Sequence, residues 1–192
     1  MGKNTTIGAV IITTAAPNFN SLASVSATFG SQGRQQVRAL VNGPIFGDKI
    51  AGRLSVAADK TDGWITNHFN GDKLLDTNRY SLRGQLLYDA GEHFSDRLIL
   101  EGLGSAEYNN FYPPSGDPTS FVNGAARNGW ARRLQTRFNY TPSFDVYNNA
   151  NLNNQGQTVA RTLGASNQAD WKLGDHTLTA ITAWRHLIFR PH

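Results

Sequence analysis

Three arginines, Arg38, Arg53 and Arg83, each stand among small polar residues at alternating positions of a short segment. A guanidinium is a permanently charged planar fork that suits carboxylates and other anions. On the polar faces of three strands these groups would form a basic wall for an anionic ligand or for carboxylates of another part of the protein. The plainer reading is structural charge. A second set is aromatic. Trp64, His68 and Phe69 follow Asp62-Gly63, and Tyr108, Phe111, Tyr112 and Trp130 lie in a segment rich in Asn and Pro. Flat rings in loops can stack on a flat ligand, or they can pack locally against one another.

Other chemistry is missing from the pattern. The five histidines, at 68, 93, 176, 186 and 192, include no pair with zinc-protease spacing. There is no cysteine, hence no disulfide framework and no thiolate metal site. Gly102-Leu103-Gly104 lacks the third glycine and the following helix of a nucleotide loop. No nucleophile-elbow sequence occurs. The chain therefore reads as a non-enzyme without metal or cofactor. The net charge of +4 is spread along the chain rather than gathered in a block, which argues against a nucleic-acid partner.

The elements that must position these residues are strands. Of 192 residues only 17% are charged, against about 25% in ordinary globular domains, while Gly, Asn, Ser and Thr abound. Ala23, Val25, Ala27 and Phe29 alternate with Ser24, Ser26 and Thr28. Val37, Ala39 and Val41 oppose Gln36, Arg38 and Asn42, and Asn42-Gly43-Pro44 is expected to end that strand. Ile50, Leu54, Val56 and Ala58 oppose Arg53, Ser55 and Asp59; Tyr80, Leu82, Leu86 and Tyr88 oppose Ser81, Arg83 and Gln85. Further strands are expected at 95–104, 157–171 and 177–186, and a buried strand at 7–14. Trp130, Leu134 and Phe138 recur every four residues, which suits a short helix.

The connections sort by length. After the tight turn at 30–33 they run short, long, short, very long, short, the two long ones covering 60–77 and about 105–156. Outer-membrane barrels have short turns on one side and long loops on the other. Strands of about ten residues suit a tilted crossing. No run of 18 apolar residues exists, so membrane contact would require a barrel. No basic segment followed by an apolar one marks a signal peptide at the N-terminus.

Gly2-Lys3-Asn4-Thr5-Thr6-Ile7-Gly8-Ala9-Val10-Ile11-Ile12-Thr13-Thr14 resembles the end of the plug of TonB-dependent outer-membrane receptors. Val41-Asn42-Gly43-Pro44 with Lys49-Ile50-Ala51-Gly52-Arg53-Leu54-Ser55 resembles their first periplasmic turn and the strand after it. Asp59-Lys60-Thr61-Asp62-Gly63-Trp64, Tyr80-Ser81-Leu82-Arg83-Gly84-Gln85-Leu86-Leu87 and Gly174-Asp175-His176-Thr177-Leu178-Thr179-Ala180-Ile181-Thr182-Ala183-Trp184-Arg185 resemble later strand pairs. The resemblance implies an all-β fold: an antiparallel up-and-down meander of about seven strands, part of a larger transmembrane β-barrel. Residues 1–17 would end the plug and 18–192 would begin the barrel. It further implies a cell outer membrane of a Gram-negative bacterium, with membrane lipid, the TonB complex and a ferric siderophore or similar small nutrient as partners. Arg38, Arg53 and Arg83 would face the lumen; Trp64, His68, Phe69, Tyr112 and Trp130 would lie in external loops. As a fragment the chain is expected to be inactive in transport alone. Two other classes stand beside this one. A secreted β-sandwich would bind glycans through Trp64 and Trp130. A small hydrolase barrel would need Ser, His and an acid at one rim, and nothing in the sequence joins them.

Overall fold

Alternation at a period of two places the apolar and polar side chains of each segment on opposite faces, and the segments so patterned are strands. The computed structural model describes residues 14–111, 116–145 and 150–191. The strands are β1 (Leu22–Gly30), β2 (Arg34–Phe46), β3 (Ile50–Thr61), β4 (Ile65–Thr66), β5 (Lys73–Leu74), β6 (Thr77–Asp89), β7 (Phe94–Glu107), β8 (Thr158–Leu173) and β9 (His176–Arg190). One helix, α1 (Trp130–Phe138), lies where the four-residue spacing places it. The expected strand at 7–14 falls outside the described residues, apart from Thr14. The protein is all-β.

Seven strands form one sheet in the order β1-β2-β3-β6-β7-β8-β9, every neighbour antiparallel: an up-and-down meander. Thr61 pairs with Thr77 and Glu107 with Thr158 at the same end of the sheet, from which both long connections leave. The turn at 31–33 joins β1 to β2 at this same end. Gln32 and Gly33 both have positive φ there, and the Arg34 N–H donates to the Ser31 carbonyl at 3.2 Å, the geometry that matches hairpin twist.

The register carries one face intact across all seven strands. Ala23 faces Val41, Val41 faces Leu54, Leu54 faces Gly84, Gly84 faces Leu100, Leu100 faces Ala165, and Ala165 faces Trp184. This apolar face is the exposed one: Val25 keeps 78% of its accessible surface, Phe29 76% and Trp184 59%. In the middle strands the polar face is the sheltered one, as β3 shows, while the edge strands β1 and β9 are exposed on both faces. Arg53, Ser55, Ala57 and Asp59 are half-buried, while Leu54, Val56 and Ala58 between them are exposed. β9 departs from the alternation, because Ile181, Leu187 and Phe189 put apolar groups on the polar side.

Pro44 does not end its strand. β2 continues to Phe46 with a register shift between Pro44 and Phe46. A bulge spares proline the donor it lacks, and Ile45 folds over Gly52, whose missing side chain leaves it room. The connection 62–76 is likewise not plain loop. It carries the β4–β5 hairpin, whose Ile65 and Leu74 are buried with Ala150 of the second long connection; Leu75, Tyr108, Phe111 and Leu152 pack around them.

Asn67 joins the two connections. It is fully buried. Its Nδ2 donates to the Leu152 carbonyl (2.8 Å) and to Gln155 Oε1 (3.0 Å). Its Oδ1 accepts from the backbone N–H groups of Leu152 (2.9 Å) and Phe69 (3.2 Å). Asn67→Ala is expected to strand these buried partners at a cost of about 2–4 kcal/mol. Amide hydrogen exchange should then accelerate in 62–76 and 150–157 together, with β3 and β6 unchanged. Acceleration in only one connection would refute the coupling.

Candidate functional site

Arg38, Arg53 and Arg83 come from β2, β3 and β6, adjacent strands that present them on the same polar face. They line one cavity of about 590 Å³ together with Ser24, Ser55, Ser81 and Gln85. Register explains the convergence: Arg38 lies across from Ala57 and Ser26, Arg53 from Asn42 and Gln85, and Arg83 from Ser55. Small residues opposite Arg38 and on one side of Arg83 leave the space, while Arg53 lies between two amides.

The three guanidinium groups differ in partners. Arg83 Nη1 donates to Glu101 Oε2 at 3.2 Å, and Glu101 also pairs with Arg185 of β9. Among the described residues no carboxylate lies within ion-pair distance of Arg38 or Arg53. Arg83 Nε and Gln85 Oε1 are buried atoms without a hydrogen-bond partner among the described residues. The cavity wall thus holds unspent cationic and polar capacity, which suits a carboxylate, an anionic chelate or a polar peptide segment.

The chain that precedes β1 reaches this wall. Gln85, 5% exposed, donates from Nε2 to the Ala15 carbonyl at 3.3 Å, and Thr14 and Ala15 line the cavity. Asn42 Nδ2 is placed against the Asn18 carbonyl (3.2 Å), Asn18 Oδ1 (2.9 Å) and the Asn20 carbonyl (2.7 Å). The Asn18 N–H donates back to Asn42 Oδ1 at 3.3 Å. Residues 14–20 are therefore fastened across the polar face by two side chains of the sheet. The sequence marks both residues only as members of polar faces; their role comes from register.

At the long-connection end a second polar cluster closes the wall. Glu107 is buried and accepts from Arg79 Nε (2.5 Å) and Nη2 (3.0 Å), from the Asn78 N–H (3.2 Å) and from Asn109 Nδ2 (3.0 Å). Asp76, next to it, has its carboxyl pushed above the ordinary range by burial. The hydrogen bond from the Tyr108 N–H opposes that shift, and the Glu107 charge adds to it.

The aromatic candidates divide. Trp64, His68 and Phe69 are exposed around the β4–β5 hairpin; the Trp64 N–H donates to the Leu74 carbonyl at 3.2 Å and the His68 N–H to the Ala150 carbonyl at 2.7 Å. Trp130 opens α1 and packs edge-on against Phe144, with ring centroids 5.7 Å apart. Tyr112 lies outside the described residues. A further aromatic group gathers at the short-turn end of the apolar face. Tyr88 and Phe94 are 6.2 Å apart, and Phe94 and Trp171 5.3 Å apart.

No family model matches the chain, and no solved structure matches it.

Glu101 holds the middle of the wall by bridging two arginines from strands on either side. Glu101→Gln is expected to leave both half-paired and to destabilise the sheet by about 1–3 kcal/mol. Denaturant unfolding should show the loss, and the Glu101→Gln/Arg185→Gln double variant should recover part of it. A double variant as unstable as the sum of both single ones would rule out a direct Glu101–Arg185 interaction.

Proposed function

We propose that this chain is a stretch of the wall of a transmembrane β-barrel, in a TonB-dependent receptor of a Gram-negative outer membrane that takes up a ferric siderophore or a similar small nutrient. The observation that carries this reading is the reversed placement of polarity in the middle strands, with the apolar face outside and the polar face sheltered. In water, burial of apolar surface drives folding, so a soluble sheet hides its apolar face. In a bilayer the same driving force favours apolar groups facing lipid and polar groups facing a lumen. Aromatic rings gathered at the strand ends fit the interfacial girdle of such a wall.

The connections support the same reading. Turns at 47–49, 90–93 and 174–175 are short, and the connections at the other end, 62–76 and 108–157, are long. The long side would face the exterior, where Trp64, His68, Phe69 and Trp130 would meet cargo. Residues 14–20, crossing the polar face, fit a chain that emerges from a plug inside the lumen, and the free arginines Arg38 and Arg53 fit plug carboxylates or an anionic chelate. The TonB complex would act through the part of the receptor that precedes this stretch.

The strand count bears on closure. β1 and β9 are the first and seventh strands of an alternating sheet, so they run in the same direction. Pairing them directly would be parallel. An all-antiparallel barrel with an even number of strands needs an odd number more; about fifteen would complete a 22-stranded wall. A glycan-binding sandwich fits less well, because a sandwich covers the apolar face of one sheet with another. Among the described residues the second sheet is the two-stranded β4–β5.

Two outcomes are expected. Leu82, in mid-sheet on the apolar face, changed to Arg should destabilise the chain in phospholipid vesicles by about 2–4 kcal/mol, the cost of a cation facing lipid. Ser81→Arg, on the polar face one residue away, should cost less than about 1 kcal/mol. Equal costs in a urea titration would defeat the membrane reading. Separately, the genomic reading frame should continue upstream into a plug and downstream into about fifteen more alternating strands. A stop codon directly after His192, with a genuine start signal before Met1, would defeat the receptor reading while leaving the vesicle result to decide membrane contact.

A further inference from the structure

The apolar face carries positive charge at one end only. Arg161 of β8 lies opposite Ile188 of β9, and the same face carries His186 and Arg190 two residues to either side of Ile188. Diagonal neighbours of this kind sit about 7–8 Å apart. Arg161, His186 and Arg190 are all exposed. Among the described residues none of them forms an ion pair. The acidic residue on this face of the sheet is Asp96, which stands at the opposite, short-turn end and accepts from Asn167 Nδ2 at 2.8 and 3.0 Å. Trp184 stacks on His186, with ring centroids 6.1 Å apart and planes 6° from parallel. Two arginines with no counter-charge repel each other, and an anion between them would relieve that repulsion.

A line of glycines leads to this patch, the first of them, Gly52, lying under Ile45. Gly52 of β3, Gly84 of β6 and Gly102 of β7 lie on one diagonal of the apolar face. Each is displaced two residues toward the long-connection end from the direct partner of the glycine before it. The next positions on that diagonal are Arg161 and then Arg190. Each step spans about 8 Å, from one strand spacing and two residues of rise. Near its start the face holds an apolar cavity of about 660 Å³, bordered by Ile45, Leu54, Leu86 and Leu100. An apolar track that ends in cations has the chemistry of a phosphorylated amphiphile, with hydrocarbon along the glycines and phosphate at the arginines.

We propose that Arg161, His186 and Arg190 bind the phosphate of a lipid headgroup at the outer rim of the sheet, with a hydrocarbon tail along Gly102 and Gly84. This rests on the reading of the apolar face as membrane-facing. The commitment is to a membrane lipid rather than free phosphate, because the patch lies on the apolar face beside Trp184 and Leu163 and not in the sheltered polar cavity.

The test uses the full chain with Trp64, Trp130 and Trp171 changed to Phe, so that Trp184 reports alone, in phosphatidylcholine vesicles. Brominated phosphatidic acid is compared with brominated phosphatidylcholine at equal content. Quenching of Trp184 should be about tenfold stronger per mole for the phosphomonoester lipid, as expected when two basic groups favour it. Arg161→Gln/Arg190→Gln should bring the ratio to one while quenching by brominated phosphatidylcholine persists, and Arg161→Lys/Arg190→Lys should keep most of the preference. An equal response to both lipids in the parent chain would overturn the lipid site and leave the membrane reading standing. No quenching by either lipid would overturn both. Loss of the preference on adding inorganic phosphate would assign the patch to free phosphate and overturn the lipid assignment.

Discussion

A strand shows its two faces to two environments, and seven strands in unbroken antiparallel register keep those faces separate over the whole sheet. That register is the constraint from which the rest of this structure follows. A slip of one residue in any pair would bring Arg53 or Arg83 to the apolar side and Leu54 or Leu82 to the polar side. The hairpin turn at Gln32-Gly33, the shift at Pro44–Phe46 and the short turns between β6 and β7 and between β8 and β9 hold the register at the strand ends. Cross-strand ion pairs hold it in the middle. Glu101 reaches Arg83 on one side and, across β8, Arg185 on the other, so β6, β7 and β9 are tied on the polar face.

Charge follows from shelter. Polar side chains kept partly from water need partners, and most on this wall have them: Gln36 with Asp59, Arg79 with Glu107, Thr179 and Gln168 with Asp170. Two of the exceptions, Arg83 Nε and Gln85 Oε1, lie in the cavity beside the segment 14–20, where Arg38 and Arg53 also lack a carboxylate partner among the described residues. A place where pairing is left incomplete, next to a chain already fastened there, is where a further polar body fits. The long connections add a separate, locally cored unit. Ile65, Leu74 and Ala150 form its centre, and Asn67 supplies hydrogen bonds that neither connection supplies alone.

Much of this was legible beforehand. All seven sheet strands were expected, most of them from alternation, because a half-buried strand writes its two environments into successive residues. The faces of Arg38, Arg53 and Arg83 were readable for the same reason, and the four-residue spacing of Trp130, Leu134 and Phe138 marked α1. Pro44 misled, since the rule against proline in a strand holds for a regular ladder and not at a bulge. The β4–β5 hairpin was missed because two-residue strands have no period to read. Asn67 was missed because an asparagine that joins two connections looks in sequence like any asparagine in a polar loop. The pairs it makes are separated by 85 and 88 residues.

By itself the sequence determined that the chain would be β-structured, which residues share a face within each strand, and which connections are long. All of these are local properties, set by a period of two and by turn chemistry. Only the tertiary structure decided which face is sheltered and which strands are neighbours, because those depend on pairing between distant segments. It alone brought three arginines from separate strands to one cavity, set Gln85 and Asn42 against residues 15–20, and aligned Gly52, Gly84 and Gly102 with Arg161 and Arg190. Inter-strand register creates such alignments, and no single strand contains them.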